Sequence, residues 1–418
     1  MSQAAIAASP LPGSKGKRRH AFPSPPDSRK EALLIPAPPR AFALVALLLP
    51  TAAAAGPLQT RADQITQQIA TTFVRSYPLI AASAGVAYRF DPVTANFERE
   101  TAIAGQVFLE RASPIGRGRW NLGVSYQRVA LESIEGHDAD ALSDPLPLAL
   151  ADATGQVVGQ ATLDRLDVTA VTHVTTFSST YGLTDDADVN LTLPMIVSDT
   201  GSKLTATTTS FVTGDTTTSS TTDDEDDVGA GDLILRGRYR FLEREPGALA
   251  AGLVVRFPTG DVDRLRGTGE YEIMPALYAS SRTWHAASWA QLSLHLNLGV
   301  DIVAGDLSQS EGRWALGGDW GVTQGATVGL AFLGRHPFER PVDEGFYDLV
   351  RVLPGPRLGT APLFGLTGDR PDYYDMSIGG RANVWRDTVI AFANLVVPLN
   401  DDGVRTGLIP LAGVEVAF

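Results

Sequence analysis

The run Ser288-Trp289-Ala290-Gln291-Leu292-Ser293-Leu294-His295-Leu296-Asn297-Leu298-Gly299-Val300-Asp301 decides the fold class. Leu292, Leu294, Leu296, Leu298 and Val300 fall on one parity, and Gln291, Ser293, His295, Asn297 and Asp301 on the other. A helix mixes these sets, whereas a strand sorts them onto opposite faces. The same sorting recurs along the chain. Trp120, Leu122, Val124 and Tyr126 oppose Asn121, Ser125 and Gln127. Val189, Leu191 and Leu193 oppose Asp188, Asn190 and Thr192. Leu233, Leu235, Tyr239 and Phe241 oppose Asp232, Arg236, Arg238 and Arg240. Leu249, Ala251, Leu253, Val255 and Phe257 oppose Arg256, while Met376, Ile378 and Ala382 oppose Asp375, Ser377, Arg381 and Asn383.

Such alternation suits a soluble sandwich with one wet face, or a membrane barrel with lipid outside and water inside. The connections choose between them. Short breaks sit at 112–119, 181–187, 243–247, 281–287, 322–325 and 385–387. Longer ones lie at 91–100, 129–163, 198–229, 258–269, 302–312, 336–373 and 398–405. Short and long alternate without a lapse, as the periplasmic turns and extracellular loops of outer-membrane barrels do. The expected fold is an all-β, transmembrane, antiparallel up-and-down β-barrel of about 14 strands, with 12 as the fallback and 83–90 as the first strand. Trp314 and Trp320 share a parity six residues apart, roughly 20 Å along a strand at ~3.3 Å per residue. That separation suits two interfacial aromatic girdles. The chain ends on Leu408, Pro410, Ala412, Val414, Val416 and Phe418 in one parity. A last strand closing on Phe418 resembles the insertion signal that the bacterial barrel-assembly machinery reads.

Composition agrees. Of 418 residues 44% are hydrophobic and 19% charged, which excludes a disordered acidic polymer. The absence of cysteine excludes a disulfide framework, a thiolate zinc site, an iron–sulfur cluster and a cysteine nucleophile. A net charge of −13 argues against nucleic acid as a partner, because counterion release needs a basic surface. Near the start, Arg40 precedes the apolar run Ala41 to Leu49, then Pro50 and the small residues Thr51 to Gly56. A basic flank, an apolar stretch and an A-x-A site at Ala52-Ala53-Ala54 read as a secretory signal. The alternative, a membrane anchor, needs a run of about 20 apolar residues. Three segments follow: a signal peptide over 1–55 with an over-long n-region, a mature N-terminal segment over 56–82, and the barrel over 83–418. Within the second, Ile65, Ile69 and Phe73 recur at helical spacing. They predict an amphipathic helix tucked into the periplasmic mouth as a partial plug, with a frayed N-terminus as the alternative.

Four stretches also resemble a known family. They are Phe108-Leu109-Glu110-Arg111-Ala112 with Gly116 to Gln127; Tyr181-Gly182-Leu183-Thr184-Asp185 leading to Leu193-Pro194; Gly229-Ala230-Gly231-Asp232-Leu233 running to Phe241; and Phe257-Pro258-Thr259-Gly260-Asp261. Their order and spacing resemble the outer-membrane, transporter-like β-barrel family labelled "MetA-pathway of phenol degradation", over most of residues 83–418. The resemblance implies passage of aromatic or other hydrophobic compounds. The acidic insert in the 198–229 loop and the long 336–373 loop depart from the family's pattern. Taken alone, these motifs read as turn chemistry.

The inward parity carries the candidate lumen lining: Asp167, His173, Arg236, Arg238, Arg240, Arg256, Glu272, His295, Asp301, Asp319, Arg381 and Glu415. Such charges suit a wet or networked interior, since an unpaired ion in a dry core costs several kcal/mol. They read either as an electrostatic filter or as a static salt-bridge network. The Thr/Ser run from Thr205 and the acids Asp223 to Asp227 lack the glycine turn and terminal glutamate of a calcium loop. They read as a solvated loop, with divalent-ion bridging to lipopolysaccharide as the sharper alternative. No metal or cofactor is expected. A hydrolase would need His173 or His295 as a base beside Ser293 or Thr175, but no G-x-S-x-G, H-E-x-x-H or Walker sequence is present. The expectation is therefore a non-enzymatic outer-membrane channel passing small hydrophobic or aromatic molecules. Its surroundings would be outer-membrane lipid and lipopolysaccharide. A scaffold barrel whose long loops bind ligands is the alternative, and an outer-membrane hydrolase the second.

Overall fold

The computed structural model describes residues 71–77, 88–91, 96–99 and 108–418, apart from 153, 288–289, 324, 340–347, 354–356, 363, 365, 367–368 and 386–387. The expected signal peptide, Ile65 and Ile69 lie outside the described residues.

Twelve antiparallel strands close into a barrel. They are β1 (Trp120–Ile134), β2 (Val157–Gly182), β3 (Ala187–Ser210), β4 (Leu233–Arg244), β5 (Gly247–Phe257), β6 (Glu272–Ser281), β7 (Ala290–Val303), β8 (Glu311–Thr323), β9 (Ala326–Pro337), β10 (Tyr373–Trp385), β11 (Val389–Pro398) and β12 (Ile409–Ala417). Each pairs with its neighbours in chain order, and β12 returns to β1 with Ala417 opposite Asn121 and Leu411 opposite Gln127. The seam is finished by Trp120 and Phe418, whose backbones exchange hydrogen bonds of 2.8 and 2.9 Å. Closure removes the edge that an open sheet would leave unpaired.

The fallback count of twelve is the observed one. Residues 88–91 and 96–99 pair with each other and with no barrel strand. The stretch 108–118 leaves the wall altogether and runs inside it, for the electrostatic reasons given below. The break at Gly116-Arg117-Gly118 is thus not a turn between two strands but the bend from lumen into wall. Gly116 and Gly118 hold φ of +96° and +71° there, a region open to glycine at no steric cost.

The decisive alternation is seen in three dimensions. Leu292, Leu294, Leu296, Leu298 and Val300 are exposed on the outer face of β7, while Ser293, His295 and Asp301 are buried within. Trp314 and Trp320 both face outward, Trp320 near the short β8–β9 turn and Trp314 toward the opposite end. At the short-turn end Trp120, Trp284, Trp320 and Trp385 are all exposed, and Trp120 rests on Tyr181 at 4.7 Å. A belt of exposed leucine, valine and aromatic side chains around a closed cylinder is the pattern of a lipid-facing wall. Among the described residues no helix is long and apolar enough to cross a membrane.

Beyond the long-loop end, β2 and β3 continue as a tall ribbon. Thr216–Ala230 pairs along β3 from Thr209 to Met195, so the acidic insert is an ordered strand rather than a loop. Leu142–Ala151 pairs with β2 on the other side. The Thr216–Ala230 strand and β4 lie on the same side of β3 in succession, interrupted at Gly231-Asp232.

Candidate functional site: the lumen and its inner segment

The inward residues of the wall are close-set and mixed, with charged and polar side chains beside the buried apolar Val129, Val174, Ile196, Val254, Phe392, Val396 and Leu411. Ten of the expected lining residues lie there, all buried: Arg236, Arg238, Arg240, Arg256, Glu272, His295, Asp301, Asp319, Arg381 and Glu415. Asp167 and His173 do not. A bulge between Leu163 and Arg165 shifts the register of β2, and the even residues Val168, Ala170, Thr172, Val174 and Thr176 take the buried face. Asp167 pairs outside with Arg165 at 2.5 Å. His173 Nδ1 meets Tyr126 Oη at 2.6 Å on the outer face. Thr175, once a candidate partner for a histidine base, shares that outer parity.

Among the described residues, 71–77 and 108–118 lie within the lumen. Residues 71–75 form a helical turn carrying Phe73 and Val74, both buried. Phe73 is the inner residue of the expected amphipathic pattern, but the turn does not sit at the end that holds the chain terminus. Tyr77 Oη donates to the Leu265 carbonyl at 3.3 Å, and Arg75 Nη1 donates to the Gln309 carbonyl at 3.0 Å. Both acceptors belong to connections at the long-loop end. Burial pushes the Tyr77 phenol pKa up, so it stays a neutral donor.

From that end, residues 108–118 run to the opposite one, tied at each step to the wall. Glu110 meets Arg238 at 3.2 Å and Arg236 at 3.8 Å. Arg238 also donates to the Arg111 carbonyl at 2.8 Å and pairs with Asp188. Arg111 reaches Asp319 at 2.8 Å. Ala112 N–H donates to Ser280 Oγ, and Ile115 N–H to Asp188 Oδ2. Gly118 N–H finally donates to the Gly182 carbonyl at 2.8 Å. A Cβ on Gly182 would collide with the Gly116 carbonyl oxygen, so glycine is what allows the segment to cross the wall's end.

Two motifs of the expected turn chemistry also lock onto each other. Asp232 accepts from Gly260 N–H and from Thr268 N–H, each at 2.9 Å. Thr259 Oγ1 takes the Leu233 N–H and donates to the Gly231 carbonyl. The interruption between the acidic strand and β4 therefore clamps the 258–269 connection. Burial raises the Asp232 pKa, against the opposing pull of Arg256.

Further charges complete the interior. Glu272 lies 3.0 Å from both Arg256 and Arg75. Arg313 bridges Asp301 at 2.8 Å and Glu311 at 2.6 Å. Arg381 holds Glu415 at 2.7 Å, and Arg405 holds Asp375 at the same distance. Sequence reading missed Arg75, Glu110 and Arg111 as lumen residues because they are not on strands. The signal present was charge inside an apolar stretch, Phe108-Leu109-Glu110-Arg111-Ala112, which a buried segment tolerates when every charge meets a partner.

His295 sits between Ser280 Oγ (2.9 Å to Nδ1) and Asp319 (3.1 Å to Nε2). The three residue types are those of a hydrolase relay, with Ser280 rather than Ser293 beside the ring. Their surroundings differ from one. Ser280 Oγ accepts the Ala112 N–H, and Arg111 takes the same Asp319 oxygen as His295, so the cluster grips the inner segment. Among the described residues no group of three or more His, Asp or Glu is placed to hold a metal ion.

No family model and no curated protein matches the chain. Among solved structures it is similar to the COG4313 outer membrane channel from Pseudomonas putida F1, at 13% identity and a TM-score of 0.41, covering 73% of this chain and 98% of that one. The NanC porin gives 6% identity and 0.35 over 71% and 98%. A FadL homologue from Pseudomonas aeruginosa gives 10% and 0.28 over 72% and 89%. All three likenesses are distant.

Proposed function

We propose that this protein is an outer-membrane channel through which small molecules, hydrophobic or aromatic ones in the first place, cross passively. The signal-like run from Arg40 to Gly56 supports export, with the long connections facing outward into lipopolysaccharide. The observation that carries the reading is the division of the wall into an apolar outside and an inside that buries paired charges among apolar side chains, with the chain's own residues 108–118 held within. Such a segment is held by ion pairs to side chains that a wall without a lumen has no reason to bury. In this reading residues 71–77 and 108–118 set the free cross-section, and selectivity follows from pore width and lumen charge.

One observation favours the scaffold alternative. Arg236, Arg238, Arg240 and Arg256 are each 6–7% exposed, so the described conformation leaves a narrow path. Conductance and liposome swelling separate the two. With phenol-like and sugar-like solutes, wild type should admit the phenol-like solute, and deletion of 58–115 should raise conductance and admit both. A barrel that passes neither solute in either form is a scaffold.

A further inference from the structure

Next to the inner segment, toward the long-loop end, lies a cavity of about 160 Å³. An apolar cavity of about 150 Å³ is large enough for benzene, so this one takes a single six-membered ring. Its wall is divided by chemistry. Phe108, Val254, Met274, Ala276, Leu333 and Val396 supply apolar surface. Arg75, Arg236, Arg313, Arg335 and Arg405 supply five guanidinium groups, against the carboxylates of Glu110 and Asp375. The acids that balance Arg75 and Arg313, namely Glu272, Asp301 and Glu311, pair with them but do not line the space. A molecule inside therefore meets cation before anion. Arg75 Nη2 and Arg405 Nε are buried and make no hydrogen bond among the described residues.

We propose that this cavity is a binding site for a small organic monoanion, a carboxylate on an aromatic or short alkyl body. The guanidinium groups match a carboxylate's planar pair of oxygens, and the apolar wall takes the ring. Rings of arginine select anions in pores for the same reason. The proposal rests on the channel reading and narrows its permeant from neutral aromatics to their acids.

Arg75 and Arg335 are the informative positions, because neither substitution orphans an acid. Glu272 keeps Arg256 at 3.0 Å, and Glu311 keeps Arg313 at 2.6 Å while Arg335 stands 3.6 Å away. The experiment is calorimetric titration of the full chain in detergent with benzoate, with benzyl alcohol as a neutral counterpart of similar size, and with inorganic phosphate as an anion without an apolar body. Benzoate should bind at least tenfold more tightly than either. Arg75→Gln and Arg335→Gln should each weaken benzoate at least fivefold and leave benzyl alcohol unchanged, and Arg335→Lys should restore part of the loss. Equal binding of benzoate and benzyl alcohol to wild type overturns the proposal, whatever the variants do. So does benzoate affinity that ignores both substitutions. Phenol flux through liposomes without benzoate binding sinks the site and spares the channel; arginine-dependent benzoate binding without any flux does the reverse.

Discussion

Arginine placed at successive outward positions of β7 tests the lipid-facing wall directly. Leu292, Leu294, Leu296, Leu298 and Val300 are all 37–47% exposed on the outer face. They span eight residue steps, ~27 Å along the strand at ~3.4 Å per step. With a tilt of ~45° that becomes ~19 Å of depth, most of an apolar band ~25 Å tall. Leu296 lies close to the middle, six residues from Ala290 and seven from Val303. An arginine at the midplane of such a band costs about 2–4 kcal/mol, falling to about 0–1 near the interfaces. The single variants Leu292→Arg through Val300→Arg should therefore trace a peak. Leu296→Arg should be the worst, Leu294→Arg and Leu298→Arg intermediate, and the two end positions nearly silent. The assay is urea unfolding in lipid vesicles followed by tryptophan fluorescence, with unchanged slope against denaturant so that midpoints compare stability alone. A flat profile, with every position below about 1 kcal/mol, would mean that this face meets water and that the barrel does not sit in a membrane.

Three further outcomes follow from the interior. Arg111→Met and Asp319→Asn should each destabilise docking of the inner segment by about 3–5 kcal/mol, the range for stripping one side from a buried pair. Combined, they should cost less than their sum by about 1–3 kcal/mol in a double-mutant cycle; strict additivity would mean that the 2.8 Å contact contributes nothing. Gly182→Ala should cost about 1–3 kcal/mol as an overpacked site and raise protease sensitivity around Gly116, while Gly237→Ala, whose added carbon meets open space, should do neither. For Asp232 the pKa is raised, mainly by burial, so its contribution is full below the unfolded value of ~3.9 and is lost as pH rises through the folded value. Hydrogen exchange over 258–269 should accordingly quicken from acid toward neutral pH, after correction for intrinsic rates. Asp263, raised by burial and by Asp261, adds the same sign. Asp232→Asn should flatten the part that wild type shows in excess; an identical pH profile in both proteins would refute the assignment.

Strands were legible in this chain because the barrel wall has a single rule that each strand follows between its bulges. Lipid outside and a charge-bearing lumen inside impose period two on each strand, and the rule is local enough to read from ten residues. The β2 register failed for an equally local reason. One bulge residue near Arg165 flips every later side chain, so Asp167 and His173, assigned by counting, went to the wrong face. The inner segment was illegible for a different reason. It obeys no period, and its charges are satisfied by partners more than a hundred residues away, as with Arg111 and Asp319 or Arg75 and Glu272.

The motifs read as turns show how these two limits meet. Gly182, Gly116, Asp232 and Thr259 do stand at turns, and glycine or aspartate there needs no further explanation from local geometry. Yet Gly182 is the point the inner segment must pass, and Asp232 with Thr259 fastens the 258–269 connection, whose Leu265 carbonyl anchors Tyr77. Turn residues at both ends of the barrel thus determine where the segment enters and where it stops. A change in either clamp should move the segment without touching the lumen wall. In a channel reading, that makes the turns, rather than the stacked arginines, the elements that tune how wide the passage is.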